Sequence, residues 1–113
     1  MNVTTAQHGT VTVITVNETR LTYPVLADFA TAAADLIGRG EQQIVIDLTS
    51  VGYVDSATIG CLMDLYRQAT AAGGRLRLAG VQKRVETMLT MTGAHHFLEV
   101  YADQAAALAS FGG

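Results

Sequence analysis

Two aspartates with their neighbours have residue types and spacings that could carry chemistry. Asp55-Ser56 sets an acidic residue and a hydroxyl directly before the helical pattern Ile59, Leu62/Met63, Tyr66 and Ala69. A helix N-terminus presents unpaired N–H groups and about half a positive charge, so such a pair either caps the helix or accepts an added phosphate. Thr58 is a second hydroxyl in the same turn. Asp47, which closes the apolar run Ile44-Val45-Ile46, and Asp55 together raise a different chemistry, phosphorylation of a strand-end aspartate on bound magnesium. That chemistry needs acidic residues after the first strand and a lysine late in the chain. Only Glu18 stands near the first position and no lysine follows Lys83, which argues against it. His95 and His96 are adjacent, so they are expected to point in different directions as exposed loop residues rather than chelate a metal as an i,i+4 pair would. Cys61 has no CxxC partner and falls one turn into a helix, where a buried thiol acting as a small hydrophobe is expected. The phosphate-loop, dinucleotide-binding and GxSxG patterns are absent. No catalytic residue, metal or cofactor is therefore predicted.

The elements that would hold these residues follow from periodicity. Val3 to Thr5 and Val11 to Val16 read as strands of an opening hairpin around Gln7-His8-Gly9. Val25/Leu26, Phe29, Ala32/Ala33 and Leu36/Ile37 recur at helical steps, which predicts a helix over 24–37, with Pro24 at its start and Gly38 and Gly40 as the stop. Gln43 to Leu48 is a nearly continuous apolar run, expected for a strand central in its sheet. A loop leads to Asp55, a helix runs from Ser56 until Gly73-Gly74, and Arg75-Leu76-Arg77-Leu78 alternates as a strand with leucines inward and arginines outward. Val81, Val85 and Met88/Leu89 repeat at helical spacing until Gly93, Phe97 to Tyr101 form a last strand, and Asp103 caps a final helix through Leu108. Alternating strands and helices predict an α/β domain with a mostly parallel mixed sheet of four to five strands, its first strand antiparallel, and about four helices packed mainly on one face.

Composition narrows the class. With 113 residues, half of them apolar and 15% charged, the chain fits a single domain over 1–113 rather than a disordered tail. Seven Lys+Arg against ten Asp+Glu leave a net charge of -3 with scattered basic residues, so nucleic acid is a poor partner. The apolar runs are far shorter than the ~20 residues that span a bilayer, and no leader pattern is visible, so a cytoplasmic protein without membrane insertion is expected. The low charge fraction hints at a surface that meets another protein.

From Gln43 onward the chain resembles a STAS domain, the fold of anti-sigma factor antagonists (anti-anti-sigma factors) in bacterial partner switching. The likeness rests on the apolar strand ending Asp47-Leu48, the Val54-Asp55-Ser56 turn with Ile59-Gly60, the Gly73-Gly74-Arg75-Leu76-Arg77-Leu78 step, and Val85, Leu89 and Thr92-Gly93 followed by Phe97. It implies a regulatory switch rather than an enzyme. The unphosphorylated protein would bind an anti-sigma factor that is also a serine kinase of the histidine-kinase-like ATPase type. Phosphorylation of Ser56, with Thr58 as second choice, would end the association, and a serine phosphatase would reverse it. The implied partner surface is Thr22, Tyr23, Asp55, Ser56, Ala57, Thr58, Ile59, Gly60 and Met63, on a protein expected to be a monomer. Two departures bear on this. Ala57-Thr58 stand where the family has Ser/Thr and Gly, so a Cβ at Thr58 would restrict a partner backbone. Arg20-Leu21-Thr22 stands where the family often shows Leu-Asp, leaving Thr22 to cap the first helix. A second reading is a STAS subunit of a membrane ABC lipid transporter, docking on its ATPase without phosphorylation. A third, a nucleotide-binding domain, lacks a phosphate loop.

Overall fold

The alternating Val11–Val16 segment is buried on both sides, which places it inside a sheet rather than at its edge. The computed structural model describes residues 2–111. Strands β1 (Val3–His8) and β2 (Val11–Val16) pair antiparallel across a turn with Gly9 at φ 63°, glycine coming first as in a type II′ hairpin. The first strand thus runs to His8, three residues beyond the Thr5 expected from β-rich composition. Strands β4 (Gln43–Asp47), β6 (Arg75–Ala79) and β7 (Val100–Tyr101) add in parallel, giving the order β1-β2-β4-β6-β7. As the apolar run predicts, β4 lies at the centre.

Helices α1 (Tyr23–Gly38), α2 (Ser56–Ala71) and α3 (Lys83–Met91) cover one face. Their apolar stripes meet Ile14, Ile44, Ile46 and Leu78 in the main core. Gly38 lies within α1 rather than beyond it, and the chain turns at Gly40, where φ is 92°. Helix α4 (Gln104–Ala109), capped by Asp103 as expected, covers part of the other face over Val11, Val13, Val45 and Ala79.

That cover corrects one expectation. Arg77 points away from the leucines, yet it is only 8% exposed. Its Nη1 donates to Ser110 O and Oγ at 2.9 Å, and its guanidinium stacks on the Phe111 ring at 4.3 Å. Alternation assigned the face correctly; the face is simply not open to water. The last strand is also shorter than expected: Ala94–His96 form a 3-10 turn, Phe97 is exposed, and pairing resumes only at Val100.

Two further strands, β3 (Arg20–Leu21) and β5 (Tyr53–Val54), form a separate parallel pair inside segments expected to be loop. The Arg20 guanidinium lies 4.5 Å from the Tyr53 ring centroid. The loop leading to β5 is held from several sides. Asp47 Oδ1 accepts from Thr49 N and Oγ1, Gln82 Nε2 donates to Thr49 O, and Gly52 N donates to Thr19 O. Asp47 is thereby a buried loop anchor, with its second oxygen accepting from Gln104 Nε2.

Candidate functional site

The β3–β5 pair sets the site. Leu21 stands opposite Val54, so the chain leaves both strands in register and starts a helix two residues later on each side. The N-termini of α1 and α2 therefore lie abreast, and Asp55 serves both. Its Oδ1 accepts from Thr58 N at 2.9 Å, the cap of its own helix, and its Oδ2 accepts from Tyr23 N at 2.9 Å, the first residue of α1. Thr22 has the extended backbone of an N-cap but makes no side-chain cap bond, so the capping expected of it is supplied by Asp55 from across the gap. The Tyr23 N–H is the main influence holding the Asp55 carboxyl below its ordinary value, assisted by the Thr58 N–H and hydroxyl and opposed by partial desolvation.

The two hydroxyls at the start of α2 have opposite surroundings. Ser56 is exposed and its hydroxyl makes no hydrogen bond among the described residues. Thr58 is fully buried; its Oγ1 lies 2.6 Å from Leu21 O and 2.9 Å from Asp55 Oδ1, donating its one hydrogen to one of them at a time. This overturns three expectations for Thr58. A kinase has no access to it in this fold, it presents nothing to a partner, and its Cβ faces the core instead of obstructing an approach to the helix start. Ile59 is likewise only 4% exposed and belongs to the core rather than to a contact surface. Ala57 and Gly60 are exposed and Met63 is half-buried, so these stay beside Ser56 on the outer side of α2.

Across from them, Tyr23 is 74% exposed although aromatic. It stands at one end of a groove of about 620 Å³ between α1 and α2, whose lining includes Pro24, Ala27, Cys61, Asp64 and Gln68. Sequence patterning did not foreshadow this groove.

The remaining candidates resolve differently. Cys61 is half-buried in the groove wall rather than sealed in the core, and burial, with the Asp64 carboxylate, pushes its thiol pKa up, away from thiolate chemistry. His95 and His96 are exposed as expected but do not diverge: the 3-10 turn stacks their rings with centroids 4.0 Å apart. Among the described residues no group of three or more His, Cys, Asp or Glu is arranged to hold a metal ion, and no helix is long and apolar enough to cross a membrane.

Comparison with known proteins identifies the fold and the family. A Thermotoga neapolitana protein, named as a homologue of the candidate anti-sigma factor antagonist TM1081, is 24% identical over 67 residues, 59% of either chain. An anti-sigma-factor antagonist (STAS) domain protein of Planctomyces limnophilus superimposes with a TM-score of 0.90 at 19% identity, over 98% of each chain. The Bacillus cell fate determinant SpoIIAA, in its phosphorylated form, superimposes with a TM-score of 0.75 at 15% identity, over 97% of this chain and 99% of that one. At such identities the superpositions establish a shared fold. The family model for the STAS domain matches residues 2–107, and the chain belongs to the STAS domain family.

Proposed function

We propose that this protein is an anti-sigma factor antagonist that works as a phosphorylation switch, with Ser56 as the modified residue. The observation that carries the reading is the exposed, unbonded Ser56 hydroxyl at the first position of α2, beside a carboxylate whose oxygens are committed to two helix starts. The unphosphorylated surface of Tyr23, Ser56, Ala57, Gly60 and Met63 binds an anti-sigma factor that is also an ATP-dependent serine kinase of the histidine-kinase-like type. A serine phosphatase restores it. The protein itself is a regulator and not a catalyst, and it acts in the cytoplasm.

The switch is electrostatic. Ser56 to Met63 carries no charge, the nearest being Asp55 before it and Asp64 after it. A phosphate adds about 1.5 to 2 negative charges and three oxygens that demand solvation in what was a contact surface. One unit-charge repulsion against an acidic group of the bound partner at ~5 Å, with an effective dielectric near 20, is roughly 3 kcal/mol, over a hundredfold in affinity. The helix N-terminus returns about 0.3–1 kcal/mol by holding the phosphate, so the modified protein stays folded while the partner leaves. Incubation with the cognate kinase and ATP, followed by mass spectrometry of the phosphopeptides, tests the reading. Phosphate on Ser56 is expected; its absence from the chain, or its presence only elsewhere, overturns the switch.

A further inference from the structure

Strand β1 ends the sheet, and its residues from Thr4 to His8 are exposed. Natural edge strands are normally protected by a lysine, a proline, a bulge or extreme shortness. The opposite edge, β7, is protected in the last way, being two residues long. The six residues Val3–His8 have none of these devices: the sequence VTTAQH contains no Lys, Asp, Glu or Pro, and its register with β2 runs unbroken.

The register also fixes which backbone groups face outward. Val3 stands opposite Val16, so Asn2 stands opposite Asn17, and the Asn17 N–H donates to Asn2 O at 2.8 Å. In an antiparallel ladder bonded and non-bonded pairs alternate. Thr4, Ala6 and His8 therefore bond to β2, and the N–H and C=O groups of Val3, Thr5 and Gln7 point away from the sheet. These outward groups are arranged symmetrically about Thr5.

We propose that β1 is a homodimer interface, in which two copies pair antiparallel across a two-fold axis at Thr5. Thr5 meets Thr5 of the second copy and Val3 meets its Gln7. Every outward donor and acceptor of both strands finds a partner, six hydrogen bonds in all by the alternation rule. The two five-stranded sheets become one continuous sheet. The symmetry about Thr5 and the absence of acidic and lysine side chains favour a second copy over an unrelated strand, since identical edges meet without like-charge repulsion. The pairing is isologous and consumes the edge, so assembly stops at two. It stands apart from the Ser56 reading, because no residue of that site lies on β1.

Sedimentation equilibrium of the full chain, from micromolar to near-millimolar concentration, tests the proposal. The expected result is a mass rising to a plateau at twice that of the single chain. Thr5→Pro removes an outward N–H at the axis while sparing the bonds of Thr4 and Ala6 to β2, and is expected to leave a monomer with wild-type circular dichroism. Thr5→Lys sets like charges face to face at the axis with no change in backbone chemistry, and is expected to abolish the dimer at concentrations where wild type is dimeric. A wild-type mass equal to one chain throughout, a mass climbing beyond two chains, or a dimer that survives Thr5→Lys overturns the proposal.

Discussion

Helices α2 and α4 begin with the same device and do different things with it. Asp55 and Asp103 are both N-caps in extended conformation, and each accepts from the N–H three residues on, Thr58 N at 2.9 Å and Ala106 N at 2.8 Å. The difference lies in the next residue and in the second carboxylate oxygen. After Asp103, Gln104 turns inward and its Nε2 donates to Asp47 Oδ2, so the helix start is fastened to the sheet. After Asp55, Ser56 faces water unbonded, and the fastening is done by Asp55 itself through Tyr23 N. A capped helix start is therefore not a site by virtue of its cap. The start of α2 differs because its structural duties fall on Asp55 and Thr58, which leaves the Ser56 hydroxyl exposed and without a structural bond.

The largest expected effect breaks the comparison at the partner surface. Ser56→Asp places one fixed negative charge where the phosphate would sit, and is expected to weaken binding to the anti-sigma factor by over a hundredfold, following the roughly 3 kcal/mol repulsion above. Isothermal titration calorimetry reads it. Ala105→Asp, the same charge at an exposed position in the first turn of α4, is expected to leave that affinity unchanged. Equal losses from both variants would show that charge anywhere on the surface is enough.

Next comes the double cap. Asp55→Ala removes acceptors from two helix starts and is expected to lower stability by about 2 kcal/mol, against about 1 kcal/mol for Asp103→Ala, both read from urea denaturation at neutral pH. Acid titration sharpens the contrast. The Asp55 carboxyl is held below its ordinary value of 3.8, so its contribution is complete above that pH. Below it the unfolded chain takes up the proton first, and the contribution is lost as pH falls through the lowered native value. The gap between wild type and Asp55→Ala is expected to narrow below about pH 3.8 and to hold constant above pH 5.

Much of this arrangement could be read from residue patterns, and the parts that could not share a cause. The strands β2, β4 and β6 and the three long helices follow from periodicity because each presents a sustained apolar face. The inward turn of Thr58 was present in the same pattern: it lies four residues before Leu62 and seven before Leu65, on the buried stripe of α2. Its hydroxyl is compatible with either place, an exposed helix start or a buried stripe where it bonds to a backbone carbonyl. The β3–β5 pair had no such signal, since two-residue strands show no period. Without it nothing connects Asp55 to Tyr23, 32 residues away, and the double cap could not be anticipated. Arg77 shows the same limit, because alternation assigns a face but does not reveal that a six-residue helix will cover it. Local pattern reports what each segment wants to bury; distant partners decide what each polar group meets.

A smaller effect follows from the buried hydroxyl. Thr58→Val keeps the shape and removes the donor to Leu21 O, and is expected to cost about 1–2 kcal/mol of stability without altering phosphate incorporation at Ser56. Loss of incorporation in a folded Thr58→Val protein would make Thr58, despite its burial, part of what the kinase reads.

The smallest expected effect is the most discriminating. Ser56→Ala deletes a hydroxyl that bonds to nothing among the described residues and lies in water, so its stability change is expected to stay within about 0.5 kcal/mol. Gln104→Ala, at the equivalent place in α4, loses the bond to Asp47 Oδ2 and is expected to cost about 0.5–1.5 kcal/mol. The order of these two numbers tests the division of labour directly. A residue held for structure is missed when it is removed, whereas one held for modification is missed only by the kinase. Ser56→Ala should therefore keep both its melting temperature and its affinity for the anti-sigma factor, and lose all phosphate incorporation. A large drop in stability would mean that Ser56 is a structural residue after all, equivalent to Gln104, and the distinction between the two helix starts would fall with it.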